Sequence, residues 1–539
     1  DKKNQAQNQD YKASYVRGED KIIRVTYIFF MQANSNNKRI AKNTLMLYFR
    51  MLIIMLVTLY TSRVVLSALG VVDYGIYNVV GGLVTMMGLL NGAMSVSTQR
   101  YLTYELGKGD MLRLKQVFST CMTIFMILSL IVIILAETIG LWFLYNKMVI
   151  PEERMDAACY VYQFSILACI LSLITNPFNA TIIAHEKMDV YAYVSILEVA
   201  LKLVIVYLLL VIPTDRLITY GILILASQFI VALCYIIYCW KKFSETHYHF
   251  YWDKPLFREL ISYSGWNLYG SAAGLVKGQG LNILLNMFFN PAVNAARGIA
   301  YQINSAITQF FTNFYTAVRP QITKYYATGE INEMTKLVFR SSKFSFYLTM
   351  LISMPIILEA PYIVNLWLGQ LPEYVVPFTR LIIAISAIDS MASPLMTTAH
   401  ATGKIKLYQS SVGTVIILNL PISYLLLKLG GSPMTVFYVS LCISVACLFL
   451  RLWIVRRLVN FPVKQYIIEV FGKCVAICVL SLIIPLAVHI ILPQSFVSIV
   501  VVCSLSIIAS IVTIYYVGLD GHEKELIHNF AQKTIFHKK

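Results

Sequence analysis

The chain is short of charge. Of its 539 residues, 13% are Asp, Glu, Lys or Arg and 58% are hydrophobic, with a mean hydropathy of +0.67. A soluble domain carries about 25% charged residues. This composition cannot cover a water-facing surface, so the class is a polytopic membrane protein. Negative charge is the scarcer sign, with 27 Asp and Glu against 44 Lys and Arg. Catalytic motifs are missing too. There is no phosphate-cradling Gly-rich loop, no nucleophile elbow and no large soluble domain. His247 and His249, as HYH, lack the carboxylate spacing of a metal site. Nothing supports an enzyme. The ten cysteines include no C-x-x-C pair, and Cys121, Cys169, Cys442, Cys447 and Cys478 lie inside apolar runs. They read as small buried hydrophobes, not as disulfides or metal ligands.

What is present is apolar runs of membrane length. The chain is organised around residues 44 to 116, where two apolar segments, Thr44 to Leu69 and Gly75 to Ser97, precede a basic loop carrying Arg100, Lys108, Arg113 and Lys115. Each is long enough to cross ~30 Å of hydrocarbon, so together they form a membrane hairpin. The first lacks an A-x-A cleavage site and reads as a span that stays in the protein. Fourteen spans follow from the pattern, roughly 44–68, 75–98, 117–143, 158–183, 191–212, 218–240, 259–288, 298–318, 338–359, 376–398, 407–428, 434–455, 470–492 and 497–517.

The hairpin recurs. YGIYNVV…QRYLTYELGKGDMLRLKQVFST is matched by RGIAYQINS…VRPQITKYYATGEINEMTKLVFRSS, pairing Gly75 with Gly298, Gly109 with Gly329 and Val117-Phe118 with Val338-Phe339. Spans 1–6 and 7–12 therefore form two like-oriented halves, with spans 13 and 14 added. Parallel repeats of this kind are a transporter architecture, with the pathway between the halves. The expected organisation is an N-terminal extension and lead at 1–37, an N-lobe at 38–240, a C-lobe at 241–457, spans 13–14 at 458–517 and a basic tail at 518–539. Residues 1–30 are polar with one short apolar stretch. They read either as an upstream extension before Met31 or as a disordered tail with an interfacial segment.

Loops after even-numbered spans hold nineteen Lys and Arg, while loops after odd-numbered spans hold only Lys147, Arg154, Arg216 and Arg297. The positive-inside rule then puts both termini in the cytoplasm. It also explains the net charge of +17 without nucleic acid.

KRIAKNTLMLYFRMLIIMLVTLYTSRVVLSALGVVDYGIYNVVGGLV followed by QRYLTYELGKGD resembles the start of Wzx-type lipid-linked oligosaccharide flippases. These belong to the polysaccharide transporter branch of the multidrug/oligosaccharidyl-lipid/polysaccharide exporter superfamily. The resemblance runs from about Lys38 to the last span. It implies an all-α V-shaped bundle in the bacterial inner membrane, with no cofactor. Such a protein moves an undecaprenyl-diphosphate-linked oligosaccharide to the outer leaflet. It works beside a polysaccharide polymerase and chain-length proteins, with proton or Na⁺ coupling an open question. Two lobes in one chain point to a monomer. The rivals are a cation-coupled multidrug exporter of the same superfamily, which typically stops at 12 spans, and a membrane polymerase or ligase, which would need a large outer loop. A pure scaffold would not need a midplane lysine.

A diphosphate crossing a water-free layer needs positive charge, and buried membrane cations are functional candidates by default. Lys277 in GSAAGLVKGQG lies roughly 16 Å from the outer end of span 7, near the midplane. It either meets substrate or pairs with a carboxylate. Gly270, Gly274 and Gly278 recur every four residues beside it, a stripe for close packing or a hinge. Arg50 and Arg63 on span 1 lie within snorkelling reach of the two ends; the resemblance raises Arg63. Arg297 opens span 8, facing either the cleft or lipid headgroups. Glu198 and Lys202, at i and i+4, face each other on span 5. Asp389, near the midplane without a local partner, is a candidate for coupling or for pairing with Lys277; Glu198 is a second coupling candidate. Asn91, Gln309 and Asn313 on spans 2 and 8 either bond sugar hydroxyls or tie helices together. Tyr269, Tyr301 and Tyr315 are candidates for stacking on sugars.

Overall fold

The computed structural model describes residues 40–525 except 41, 59, 62–63, 66, 71–72, 75, 78–79, 81–90, 147–149, 213, 290, 369–371, 494 and 522. Arg63, Gly75 and the 1–30 stretch lie outside the described residues. Among those described, every regular element is helical. In chain order the rods are α1 (42–58), α2 (91–108), α3 (Met111–Asn146), α4 (Met155–Ala184), α5 (Met188–Val211), α6 (Arg216–Lys242) and α7 (Lys254–Phe288). They continue as α8 (Pro291–Ala327), α9 (Ile331–Leu368), α10 (Val375–Ala401), α11 (Ile405–Lys428), α12 (Thr435–Val459), α13 (Val463–Ile491) and α14 (Phe496–Gly518). They follow the expected spans in order.

Ten of them, α3–α6 and α9–α14, are long and apolar enough to cross a membrane. The helices α7 and α8, at 35 and 37 residues, have the length but are more polar. A helix that must cross lipid and is still polar needs a polar neighbour or water along one face. These two helices are therefore where a pathway is expected.

Local chemistry sets the helix ends. Asp110, Asp215 and Asp253 cap the N-termini of α3, α6 and α7, each accepting a backbone N–H of the first turn. Gly109 and Gly329, the repeat-matched pair, follow α2 and α8 with φ of +75° and +80°. This is the left-handed region, where a Cβ is costly. After each, the matched pairs Val117-Phe118 and Val338-Phe339 are buried, each in a different apolar cluster.

The sequence boundaries stop too early at several charged residues. The helix α8 runs to Ala327 and α9 starts at Ile331, so Arg319, Lys324 and Lys336 are helical, where loops were expected.

The helices α3–α6 pack on one another, α3 on α4, α4 on α6 and α5 on α6. A second group joins α7 to α11, α11 to α12, α12 to α10, and α10 to α8 and α9. The helices α13 and α14 pair with each other and lie against α9. Their apolar windows are only 22% buried, against 56% for α9, so they form the lipid-facing edge and α9 an interior rod. Polar contacts at both ends pin them to α9. His489 Nδ1 lies 2.7 Å from Glu359, at a non-helical turn of α9 between Pro355 and Pro361. At the other end, Lys343 Nζ lies 2.9 Å from Asp520 and 3.0 Å from Glu523.

Candidate functional site

The Lys- and Arg-rich turns share one end of the bundle, termed here the basic end. The polar contacts between α1–α6 and α7–α12 cluster there among the described residues. Glu186, in the turn between α4 and α5, accepts from Lys324 Nζ at 2.6 Å and Gln321 Nε2 at 2.5 Å on α8. Tyr101 on α2 donates to Glu259 on α7 at 2.8 Å, and Arg113 pairs with Asp253 at 3.2 Å. Gln99 accepts from Arg319. Arg100 donates to the Ala401 carbonyl at 2.9 Å, and its guanidinium lies 4.4 Å and 4.7 Å from the ring centres of Tyr101 and Tyr104. Gly403 leaves room for it: a Cβ there would lie 2.8 Å from Arg100 Nη2.

Above this seal lies a cavity of about 230 Å³ bounded by α2, α7, α8, α10, α11 and α12. Arg100, Arg319, Arg451 and His400 line it, with Gln99, Asn267, Tyr315, Tyr408 and Gln409; no Asp or Glu does so among the described residues. Arg100 Nε, Asn267 Nδ2 and Arg451 Nη1 are buried donors without a hydrogen-bond acceptor. Buried donors left without an acceptor are costly. The arrangement is complementary to an anion that accepts several hydrogen bonds.

Leading away from the cavity, α8 presents Gln302, Ser305, Gln309 and Thr312 as exposed residues three or four apart, one helical face ending above Arg319. Amide and hydroxyl groups in that spacing suit a polar solute and do not suit acyl chains.

The structure distributes the sequence candidates unevenly. Lys277 is half-buried on α7 and makes no ion pair within 4 Å among the described residues; the charges of Asp389, Arg451 and Arg297 act on it from further off. Asp389 accepts a 2.8 Å hydrogen bond from Ser444 and lies 3.6 Å from Arg451, so α12 supplies its ion-pair partner. Arg297 lies on the second turn of α8. It donates to the Gly278 carbonyl at 2.8 Å and to Asn282 at 3.3 Å, joining α7 to α8. The glycine stripe is not a packing seam along its length. Gly270 meets Gln409 of α11, but Gly274 and Gly278 face open space. No kink marks α7 at these glycines.

Arg50 lies 4.4 Å from the ring centre of Tyr191 within the N-lobe. Asn91 bonds Ser172 and Asn176 of α4, an interhelical role. Asn313 is buried, with its Nδ2 unmet, and Gln309 is exposed. Glu198 and Lys202 form their i,i+4 pair at 2.7 Å. Tyr269 and Tyr315 bond Thr414 and Thr397, and Tyr301 lies exposed under Arg297.

Sequence reasoning passed over Arg451, Arg100 and His400. Arg451 was legible as an arginine between Leu450 and Leu452 inside an expected span. Arg100 and His400 sit at span ends, where a cation reads as a topology signal, and only the packing of the lobes turns them inward.

No family model and no curated protein matches the chain. Solved structures do. A MATE in complex with MaD3S superposes with a TM-score of 0.67 at 13% identity, over 80% of this chain and 97% of its own. An outward-facing multidrug resistance MATE family transporter of the MOP superfamily gives 0.67 at 13%, over 79% and 96%. The MATE transporter ClbM in complex with Rb⁺ gives 0.63 at 14%, over 79% and 96%. The chain has the fold of these transporters.

Proposed function

We propose that the chain is a flippase. It moves undecaprenyl-diphosphate-linked oligosaccharide units from the cytoplasmic to the periplasmic leaflet of a bacterial inner membrane, for surface polysaccharide synthesis. The observation that carries this reading is the cationic cavity between the lobes. Three arginines without a lining carboxylate suit a diphosphate, since Arg binds phosphate oxygens through paired N–H donors. The polar face of α8 offers sugar hydroxyls a path, while the prenyl tail stays in lipid. The basic end is cytoplasmic by the positive-inside rule. The Glu186, Arg100 and Gln99 contacts join the helices at that end, which supports alternating access with that end as one gate. The multidrug alternative fits less well, because a cationic drug would seek carboxylates where this cavity has arginines.

The test is reconstitution. Purified protein in liposomes should move a fluorescent undecaprenyl-diphosphate glycan and leave ethidium behind. Arg319→Gln removes a charge-assisted hydrogen bond of about 1.5–3 kcal/mol and should slow flipping at least tenfold at equal protein level. Lys277→Ala should also slow it, with Lys277→Arg partly active. Ethidium export with no glycan movement would favour the drug exporter.

A further inference from the structure

The cations of the C-lobe form a ladder. Arg297 lies near the outer end, Lys277 roughly 16 Å in from that end, and Arg451 and Arg319 each roughly 12 Å from the basic end of its helix. Asp389 on α10 is placed beside this ladder. It attracts Lys277, while Arg451 and Arg297 repel Lys277. One carboxylate thus acts on two cations, Arg451 and Lys277.

Its bond to Arg451 is loose. The carboxylate lies 3.6 Å from Arg451 Nη1, close enough for charge attraction and too far for a hydrogen bond. Nη1 itself is buried and donates to nothing, while Arg451 Nε donates to Tyr408 at 3.0 Å. Ser444, two turns earlier on α12, donates to the same carboxylate oxygen at 2.8 Å. The Asp389 side chain is 46% exposed and the Arg451 side chain 13%, so the acid has room to move and the arginine does not. A structural salt bridge would close the gap and fill the donor. This pair does neither.

We propose that Asp389 is an internal counter-anion: it balances Arg451 in the empty site, gives way when a diphosphate binds, and returns to help expel it. The proposal rests on reading the cavity as a diphosphate site. It assigns Asp389 a positioning role that sets affinity and release, distinct from carrying a coupling ion.

The experiment measures binding of farnesyl diphosphate to the purified full chain in detergent by calorimetry, with farnesol as the neutral control. Asp389→Asn keeps the shape and the Ser444 contact but removes the competing charge. It should bind the probe about tenfold tighter than wild type while flipping more slowly, because release is hindered. Ser444→Ala frees the carboxylate to close on Arg451 and should bind about threefold weaker. In an Arg451→Gln background, Asp389→Asn should gain less than about twofold.

Equal or weaker binding by Asp389→Asn overturns the proposal. So does unchanged affinity combined with loss of any Na⁺ or pH dependence of transport, which would make Asp389 a coupling site. If Asp389→Asn does not accumulate, Ser444→Ala decides alone, and unchanged or tighter binding there refutes the idea. The reading beneath fails separately, if wild type binds farnesol as well as farnesyl diphosphate or if Arg319→Gln and Arg451→Gln leave that preference intact.

Discussion

Glu186 ties both lobes at one point, and Glu186→Gln should open the basic end. Its carboxylate is fully buried and takes Lys324 Nζ at 2.6 Å and Gln321 Nε2 at 2.5 Å. Its own carbonyl accepts from Asn43 of α1 at 3.2 Å. The substitution keeps the volume and the backbone contact and removes the charge. Hydrogen bonds to charged groups contribute about 1.5–3 kcal/mol. Lys324 is 23% exposed and regains some water, which discounts the loss. A net cost of about 2 kcal/mol to the closed state shifts the ratio of states about thirtyfold. An open form present at about 1% would rise to roughly a fifth of the molecules. Electron–electron distance measurements between labels on Lys108→Cys and Thr328→Cys, in lipid nanodiscs and without native cysteines, read this directly. Both positions are exposed at the basic end, on α2 and just after α8. A second, longer distance is expected. An unchanged distribution from folded Glu186→Gln would refute the latch and, with it, the view that these contacts hold the end shut.

Gly107→Val should give the same longer distance, because its Cβ would lie 2.8 Å from Ala327 Cβ and 3.3 Å from the Lys324 Cα, neither of which can swing away. Lys343→Gln strips the ammonium from Glu523, itself 3% exposed, and should cost about 2–4 kcal/mol, read as a lower Tm and faster proteolysis near 519–525. Glu245 gives a pH signature. Burial pushes its carboxyl up, but the hydrogen bond from His185, its own backbone N–H and the charges of His185 and Lys115 outweigh that and hold it below the usual range. A native value below the unfolded one, about 4.3, means the pair stabilises the fold above that pH and loses this contribution as pH falls through the native value. Glu245→Gln should therefore lower Tm at pH 7, with the gap to wild type closing below about pH 4; a gap independent of pH would contradict the cause given.

The sequence by itself determined the all-helical membrane class and the order of the rods. Each of these follows from local rules. Apolar runs of membrane length must become helices because lipid offers the backbone no partner. Gly109 and Gly329 stand at matching turns because a left-handed turn tolerates little else. The Glu198–Lys202 pair was legible because helical spacing alone places the two together.

Tertiary structure decided what each buried charge faces. Asp389 had no partner within its own helix, and Arg451 reaches it from α12, a segment some 60 residues later in the chain. Arg319 and Lys324 read as loop cations until α8 proved long enough to carry one into the cavity and the other onto Glu186. Arg100 and His400 turn inward only because α2 and α10 meet at the basic end, where Arg100 bonds the Ala401 carbonyl. A charge at a span end satisfies the topology rule wherever its side chain points, so the pattern of the chain cannot say whether it meets headgroups or a cavity. That choice belongs to the packing of helices distant in sequence, which sets the direction of every side chain the proposed site uses.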